Sequence, residues 1–264
     1  MTAMVRLAQA NISYQVDGQG EGLVLISGTG GDLHSNWDHL MGRFTARRQV
    51  VRVDYAGSGK TQDHGGVLQV EALAEQVMSG VGAAQLGKFD LVGYSLGAAV
   101  AIYIAAQYPQ HVRSLVLVAG FAYGGQSRLG MQSDLWLQLI QDDPRAFAKV
   151  ILLTGFSPQF LNAMAPGDIQ SWIDAICTSN RWDGISRQID LDRRLDVREY
   201  LGQIRARTLV IGCANDFMVP KAHAQDLAEA ITGARYVELQ SGHLVPFECP
   251  DIFADTVLNF IESV

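Results

Sequence analysis

The sequence predicts an α/β fold: a mostly parallel central sheet flanked by helices, with a helical segment inserted between two of its strands. Two observations carry this expectation. Short runs rich in β-branched and other apolar residues recur at 23–26, 50–53, 90–92, 114–118, 208–211 and 235–239. Runs that are apolar on both alternating faces are those of strands covered on both sides. Between them lie helical patterns at 36–44, 67–84, 96–108, 223–231 and 252–261. Strand alternating with helix implies a parallel sheet wrapped by helices on both faces.

Taken in order, residues 4–7 and 12–16 alternate apolar with polar, and Asp17-Gly18 turns the chain, so an antiparallel start is expected. The strand and helix pairs then follow one another as far as the run at 114–118. From 121 to 200 no strand pattern appears. Helical patterns fill 127–141, 144–153, 158–164 and 168–178, punctuated by Gly155, Pro158, Pro166 and Gly167. This stretch is expected to form a lid, residues 121–200, over the carboxyl edge of the sheet. Active sites of open α/β sheets form at that edge. Residues 1–120 and 201–264 would then be the core of one domain. The charged stretch 188–198, with Asp190 and Asp192, reads as the lid's exit and a solvated face.

Composition excludes several function classes. The formal net charge is −7, spread along the chain, which gives no long-range attraction to nucleic acid or to an anionic membrane. Cys177, Cys213 and Cys249 lie far apart with no CxxC spacing, so neither a disulfide framework nor a zinc site is expected. Residues 1–10 lack the apolar run of a signal peptide. The longest apolar stretch, 96–106, is too short to span a bilayer. A cytoplasmic protein without metal or organic cofactor is the expectation, its oligomeric state left open.

The strongest local signal is Gly93-Tyr94-Ser95-Leu96-Gly97, a G-x-S-x-G motif that follows one strand pattern and precedes a helical one. That is the setting of a nucleophile elbow: a strained turn exposes the serine, and glycines keep side chains out of the bend. A serine hydroxyl needs a base. His243, in Gln240-Ser241-Gly242-His243-Leu244 just past the last strand pattern, is placed to be one. An acid must orient the imidazole, and Asp216, past the run at 208–211, gives the chain order serine, acid, histidine. Leu96 N–H and Thr29 N–H, the latter in Ser27-Gly28-Thr29-Gly30-Gly31, are the expected oxyanion donors. Gly28, Gly30, Tyr94, Trp136 and Leu244 are the candidate substrate-contacting positions.

Two glycine motifs point elsewhere and fail. Gly28-Thr29-Gly30-Gly31-Asp32-Leu33 begins like a dinucleotide fingerprint but has Leu33 where the third glycine belongs. Gly57-Ser58-Gly59-Lys60-Thr61 resembles the end of a phosphate-binding loop, yet Asp54 stands where that motif requires glycine.

Along nearly its whole length the chain resembles the α/β-hydrolase superfamily. Beyond the elbow, Asp54-Tyr55-Ala56-Gly57-Ser58-Gly59 is similar to that family's D-x-x-G-x-G turn. Leu209-Val210-Ile211-Gly212, Asp216 and Val219-Pro220 are similar to its acid-bearing strand and loop, and Ser241-Gly242-His243 to its base. Many members carry His-Gly where this chain has Ser27-Gly28. Ser95, in place of an aspartate nucleophile, makes the chain resemble the esterase, lactonase and thioesterase branch. The resemblance implies a serine hydrolase acting on a small to medium acyl substrate through an acyl-enzyme. Alternatives are a thioesterase for carrier-bound acyl chains, a carbon–carbon bond hydrolase, and a ligand-binding module of the same fold. Leu135, Trp136, Leu139, Ile140, Leu152, Phe156, Phe160, Trp172 and Ile176 are either pocket wall or, for most of them, packing within the lid.

Overall fold

The structure, a computed structural model, describes residues 2–179 and 181–263; Met1, at the head of the N-terminal segment read above, lies outside them. Among the described residues nine strands form one sheet. They are β1 (Ala3–Arg6), β2 (Ala10–Asp17), β3 (Glu21–Ile26), β4 (Arg48–Asp54), β5 (Gln62–Asp63), β6 (Phe89–Tyr94), β7 (Val112–Val118), β8 (Arg207–Cys213) and β9 (Arg235–Leu239). The spatial order is β1-β2-β4-β3-β6-β7-β8-β9, with β5 on β2. From β4 through β9 every pairing is parallel, while β1, β2 and β5 pair antiparallel.

The antiparallel start forms, but its turn lies elsewhere. The β1–β2 hairpin closes where Leu7 N–H donates to Ala10 O at 2.8 Å. Asp17-Gly18 instead releases β2 from the sheet, and β4 rather than β3 becomes its partner. The first helical pattern is also shorter than expected. A 3₁₀ turn at Asp38–Leu40 leads into a single α-helical turn, α1 (Met41–Phe44).

The remaining helices are α2 (Val70–Ala83), α3 (Leu96–Gln107), α4 (Ser127–Asp142), α5 (Pro144–Gly155), α6 (Pro158–Ala163), α7 (Pro166–Ser179), α8 (Trp182–Arg194), α9 (Arg198–Leu201), α10 (Ala222–Ala230), α11 (Val245–Glu248) and α12 (Pro250–Glu262). Strand periodicity divides the core in two. On β3, Val24 and Ile26 face α2 and α3, whereas Leu23 and Leu25 face Phe44 and the α12 residues Phe253 and Val257. The α3 helix is apolar all round because it is buried all round. Helices α4 to α9 occupy the chain between β7 and β8, so the helical excursion read from the sequence is present. None of the described helices is long and apolar enough to cross a membrane.

Candidate active site

Strand β6 runs directly into Ser95, whose backbone has φ 55° and ψ −119°. That left-handed region is costly for a residue with a side chain. Close crossing of β6, β3 and α3 imposes it. A Cβ on Gly93 would strike Gly97 O and come within 2.7 Å of Ala101 Cβ; one on Gly97 would strike Ile26 O and come within 2.5 Å of Ser27 O. Glycine at both positions lets the helix fold back over the strands and leaves Ser95 at the apex, beside the free N–H groups of the first turn of α3.

The loop after β9 carries His243, and the loop after β8 carries Asp216. His243 Nε2 lies 3.1 Å from Ser95 Oγ, and His243 Nδ1 lies 2.7 Å from Asp216 Oδ2. All three side chains are buried. The second carboxylate oxygen of Asp216 accepts from Met218 N at 2.9 Å and Val219 N at 2.8 Å. The histidine loop is tied down as well. Tyr94 Oη donates to His243 O at 3.0 Å, Gly242 N donates to Glu248 Oε2 at 3.0 Å, and Leu244 N donates to Gly155 O at 2.8 Å. With His243 Nδ1–H donating to the Asp216 carboxylate, Nε2 is left to accept the hydroxyl proton of Ser95.

In the loop after β3, Gly28 N–H donates to Asn36 Oδ1 at 3.2 Å, Gly30 N–H to Gln188 Oε1 at 2.8 Å, and Gly31 N–H to Gly28 O at 3.0 Å. Among the described residues, the N–H of Thr29 has no acceptor, and neither has that of Leu96 at the start of α3. Within this loop the Thr29 N–H, expected from the sequence as a donor, is therefore free, while the neighbouring Gly30 N–H is occupied. A Cβ on Gly28 would lie 3.0 Å from Ser95 Cβ, so the loop backbone packs directly against the serine. Ser27 supports the loop: its Oγ donates to Asp32 O at 2.8 Å and accepts from Trp37 Nε1 at 2.9 Å.

Ser95 and His243 open onto a cavity of about 400 Å³. Gly28, Thr29, Gly30, Tyr94, Trp136 and Leu244 all line it, whereas Leu96 is buried beneath and contributes only its backbone. Of the apolar insertion residues named above, Trp136, Trp172 and Ile176 reach the cavity. Leu152 and Phe156 pack with Ile173 in a separate small core, and Leu135 is exposed. Sequence reasoning missed the cavity walls from Phe121, Leu129, Phe147, Ile151 and Met218. No group of three or more His, Cys, Asp or Glu among the described residues is placed to hold a metal.

One expectation is overturned. The stretch 188–198 is not simply a solvated exit, because α8 begins at Trp182 and turns Gln188 and Asp192 inward. Gln188 is fully buried. Asp192 lines the cavity and its Oδ2 accepts from Thr29 Oγ1 at 2.6 Å. Of the two aspartates, Asp190 keeps the expected surface character, paired with Arg193 and Arg194.

Burial pushes the Asp192 carboxyl up to about 7, against the opposing pulls of Thr29 and His243. In the unfolded chain the same group ionises near the ordinary 3.8. Between those values the folded chain holds a proton that the unfolded chain has lost. The stability contributed by this residue therefore falls as pH rises from about 4 to about 7. Asp192→Asn should raise the melting temperature more at about pH 8 than at about pH 5, by ~2–4 °C or more. Thermal melts of both proteins at both pH values check this; an equal shift would refute it.

The model of the alpha/beta hydrolase family matches residues 23–256. The chain belongs to that family. This alpha/beta hydrolase is 44% identical over 259 residues to pyrrolizixenacetamide deacetylase of Xenorhabdus hominickii, covering 98% of this chain and 97% of the relative. The crystal structure of a hydrolase from Pseudomonas aeruginosa superposes with a TM-score of 0.88 at 27% identity, covering 99% of this chain and 98% of that one. An enol-lactonase from Burkholderia xenovorans shares the fold, with a TM-score of 0.88 at 23% identity, covering 98% and 99%.

Proposed function

We propose that this alpha/beta hydrolase is a serine hydrolase that cleaves an ester, lactone or thioester of a small to medium acyl substrate through an acyl-enzyme. The observation that carries the reading is the continuous contact from Asp216 through His243 to Ser95, at 2.7 and 3.1 Å, at the floor of a largely apolar cavity. Ser95 Oγ attacks the carbonyl carbon and its proton passes to His243 Nε2. The oxyanion then takes hydrogen bonds from Thr29 N–H and Leu96 N–H. Collapse expels the leaving group, which takes the proton from His243. Water then adds to the acyl carbon with His243 again as base, and Ser95 regains its hydrogen as the acid departs. Residues 121–200 act as the lid over this site.

A second reading is favoured by a specific observation. The relative at 44% identity is named a deacetylase of pyrrolizixenacetamide, which puts the amide alongside the ester as the scissile group here. The same residues serve it, with His243 protonating the leaving nitrogen.

A fluorophosphonate should add covalently to Ser95, and peptide mapping of the labelled protein should place the added mass on the elbow peptide. A panel of aryl acetates, lactones, thioesters and N-acetyl amines then ranks the leaving groups. Absence of an adduct at Ser95 would remove the serine mechanism.

A further inference from the structure

The oxyanion loop is a glycine-rich turn, closed by Gly31 N–H on Gly28 O, with Thr29 and Gly30 at its centre. Gly28, Gly30 and Gly31 flank Thr29, and Gly30 has φ +72°, where a glycine peptide meets no steric barrier to rotation. A donor that works without reorganising in the transition state must be held from outside. The α8 helix reaches this loop from the far side of the cavity.

Gln188 and Asp192 are one helical turn apart and therefore share a face of α8. The Gln188 amide is fully committed: Oε1 accepts from Gly30 N at 2.8 Å, while Nε2 donates to Ser58 Oγ at 2.9 Å and Ala56 O at 3.2 Å. Its oxygen must then face Gly30, because its nitrogen is held by acceptors in the turn after β4. Asp192 grips the neighbouring residue through Thr29 Oγ1 at 2.6 Å. Its other oxygen, Oδ1, is sealed from water and has no partner among the described residues. An unpartnered buried carboxylate oxygen is costly, so stability alone does not account for an aspartate here. The helix is also docked closely. A Cβ on Gly184 would strike Gly57 O, and one on Gly57 would lie 3.0 Å from Gly184 O.

We infer that Gln188 and Asp192 are positioning residues that hold Thr29 N–H in place for the oxyanion, making the last long helix of the insertion part of the catalytic apparatus. This rests on the serine-hydrolase reading above. The bond on Gly30 N–H restrains the peptide that follows Thr29, and the bond on the Thr29 hydroxyl fixes its side chain, so together they set the direction of the Thr29 N–H. The restraint acts on the oxyanion, not on the ground-state substrate, so its loss should appear in kcat rather than in KM.

The test uses the full chain and para-nitrophenyl acetate. Gln188→Leu and Asp192→Ala should each lower kcat ~10- to 100-fold, approaching the loss of one oxyanion donor, with KM within ~3-fold. Inhibition by an aryl trifluoromethyl ketone, whose adduct places an oxyanion in the hole, should weaken by a similar factor. Asp192→Asn, whose amide oxygen accepts the same bond, should recover most of the Asp192→Ala loss. Thr29→Val keeps the N–H and removes the hydroxyl; combined with Asp192→Ala it should cost no more than either change alone. This pair of variants also decides the matter if Gln188→Leu does not fold. Unchanged kcat in Thr29→Val and Asp192→Ala, losses that multiply, or losses wholly in KM would overturn the inference. If these variants are silent while the phosphonate still labels Ser95, only the loop restraint falls. If Ser95 takes no label and Ser95→Ala keeps its turnover, both readings fall.

Discussion

Ser95→Ala is expected to lower the turnover of para-nitrophenyl acetate by at least ~10³-fold, because it removes the nucleophile that the rest of the site serves. The substitution leaves the fold intact. Ser95 touches the cavity, and alanine enters the same elbow with the same Cβ packed against Gly28. Residual activity measures what the oxyanion donors and the cavity contribute without covalent chemistry. Steady-state rates on protein whose melting temperature matches wild type decide the matter, and a variant with wild-type turnover would exclude the acyl-enzyme route.

Asp216→Asn is expected to cost ~10²- to 10⁴-fold in kcat, a loss of the kind that the same substitution causes in the serine–histidine–aspartate triad of serine proteases. The direction follows from geometry. Met218 N–H and Val219 N–H both donate to Asp216 Oδ1, so an asparagine must turn its carbonyl oxygen toward them. Its NH₂ group then faces His243 Nδ1, which becomes an acceptor. The ring proton moves to Nε2 and points at Ser95, where a base is needed. Asp190→Asn, on the surface of α8, should stay within ~3-fold of wild type, as surface substitutions do. A silent Asp216→Asn, measured beside that control, would mean that another carboxylate orients the ring.

Much of the fold was legible because its signals are local. Leu23 to Ile26 is apolar at every position since both faces of β3 are covered, and the G-x-S-x-G bend carries its own steric reason in Gly93 and Gly97. Asp216 and His243 were found from their places after strand patterns, which the parallel sheet brings to one edge. The α8 helix was hidden by its chemistry. Its inward face is Ile185, Gln188, Ile189 and Asp192, a helical spacing in which half the positions are polar. Polar residues at a buried spacing read as surface until their partners are known, and those partners, Gly30 and Thr29, lie more than a hundred residues away. The cavity walls were equally out of reach. Whether Trp136 lines a pocket while Leu152 packs a core depends on how α4 and α5 lie against each other.

The close seat of Gly184 on Gly57 fastens the insertion to the core. The α8 helix meets the rest of the chain there backbone to backbone, at a contact where neither partner tolerates a Cβ. The junction of α5 and α6 meets the rest of the chain through its backbone as well: Leu244 N donates to Gly155 O at 2.8 Å, and a Cβ on Gly242 would strike Gly155 O. Cavity wall and support of the catalytic loops are thus interleaved along the inserted segment, since α8 also lends Ile185 and Ile189 to the cavity. A chimera that exchanges α4 to α7 alone would have to bring along the loop after β9, which carries His243 and rests on Gly155. One that also exchanges α8 would have to bring along the turn after β4 on which that helix rests.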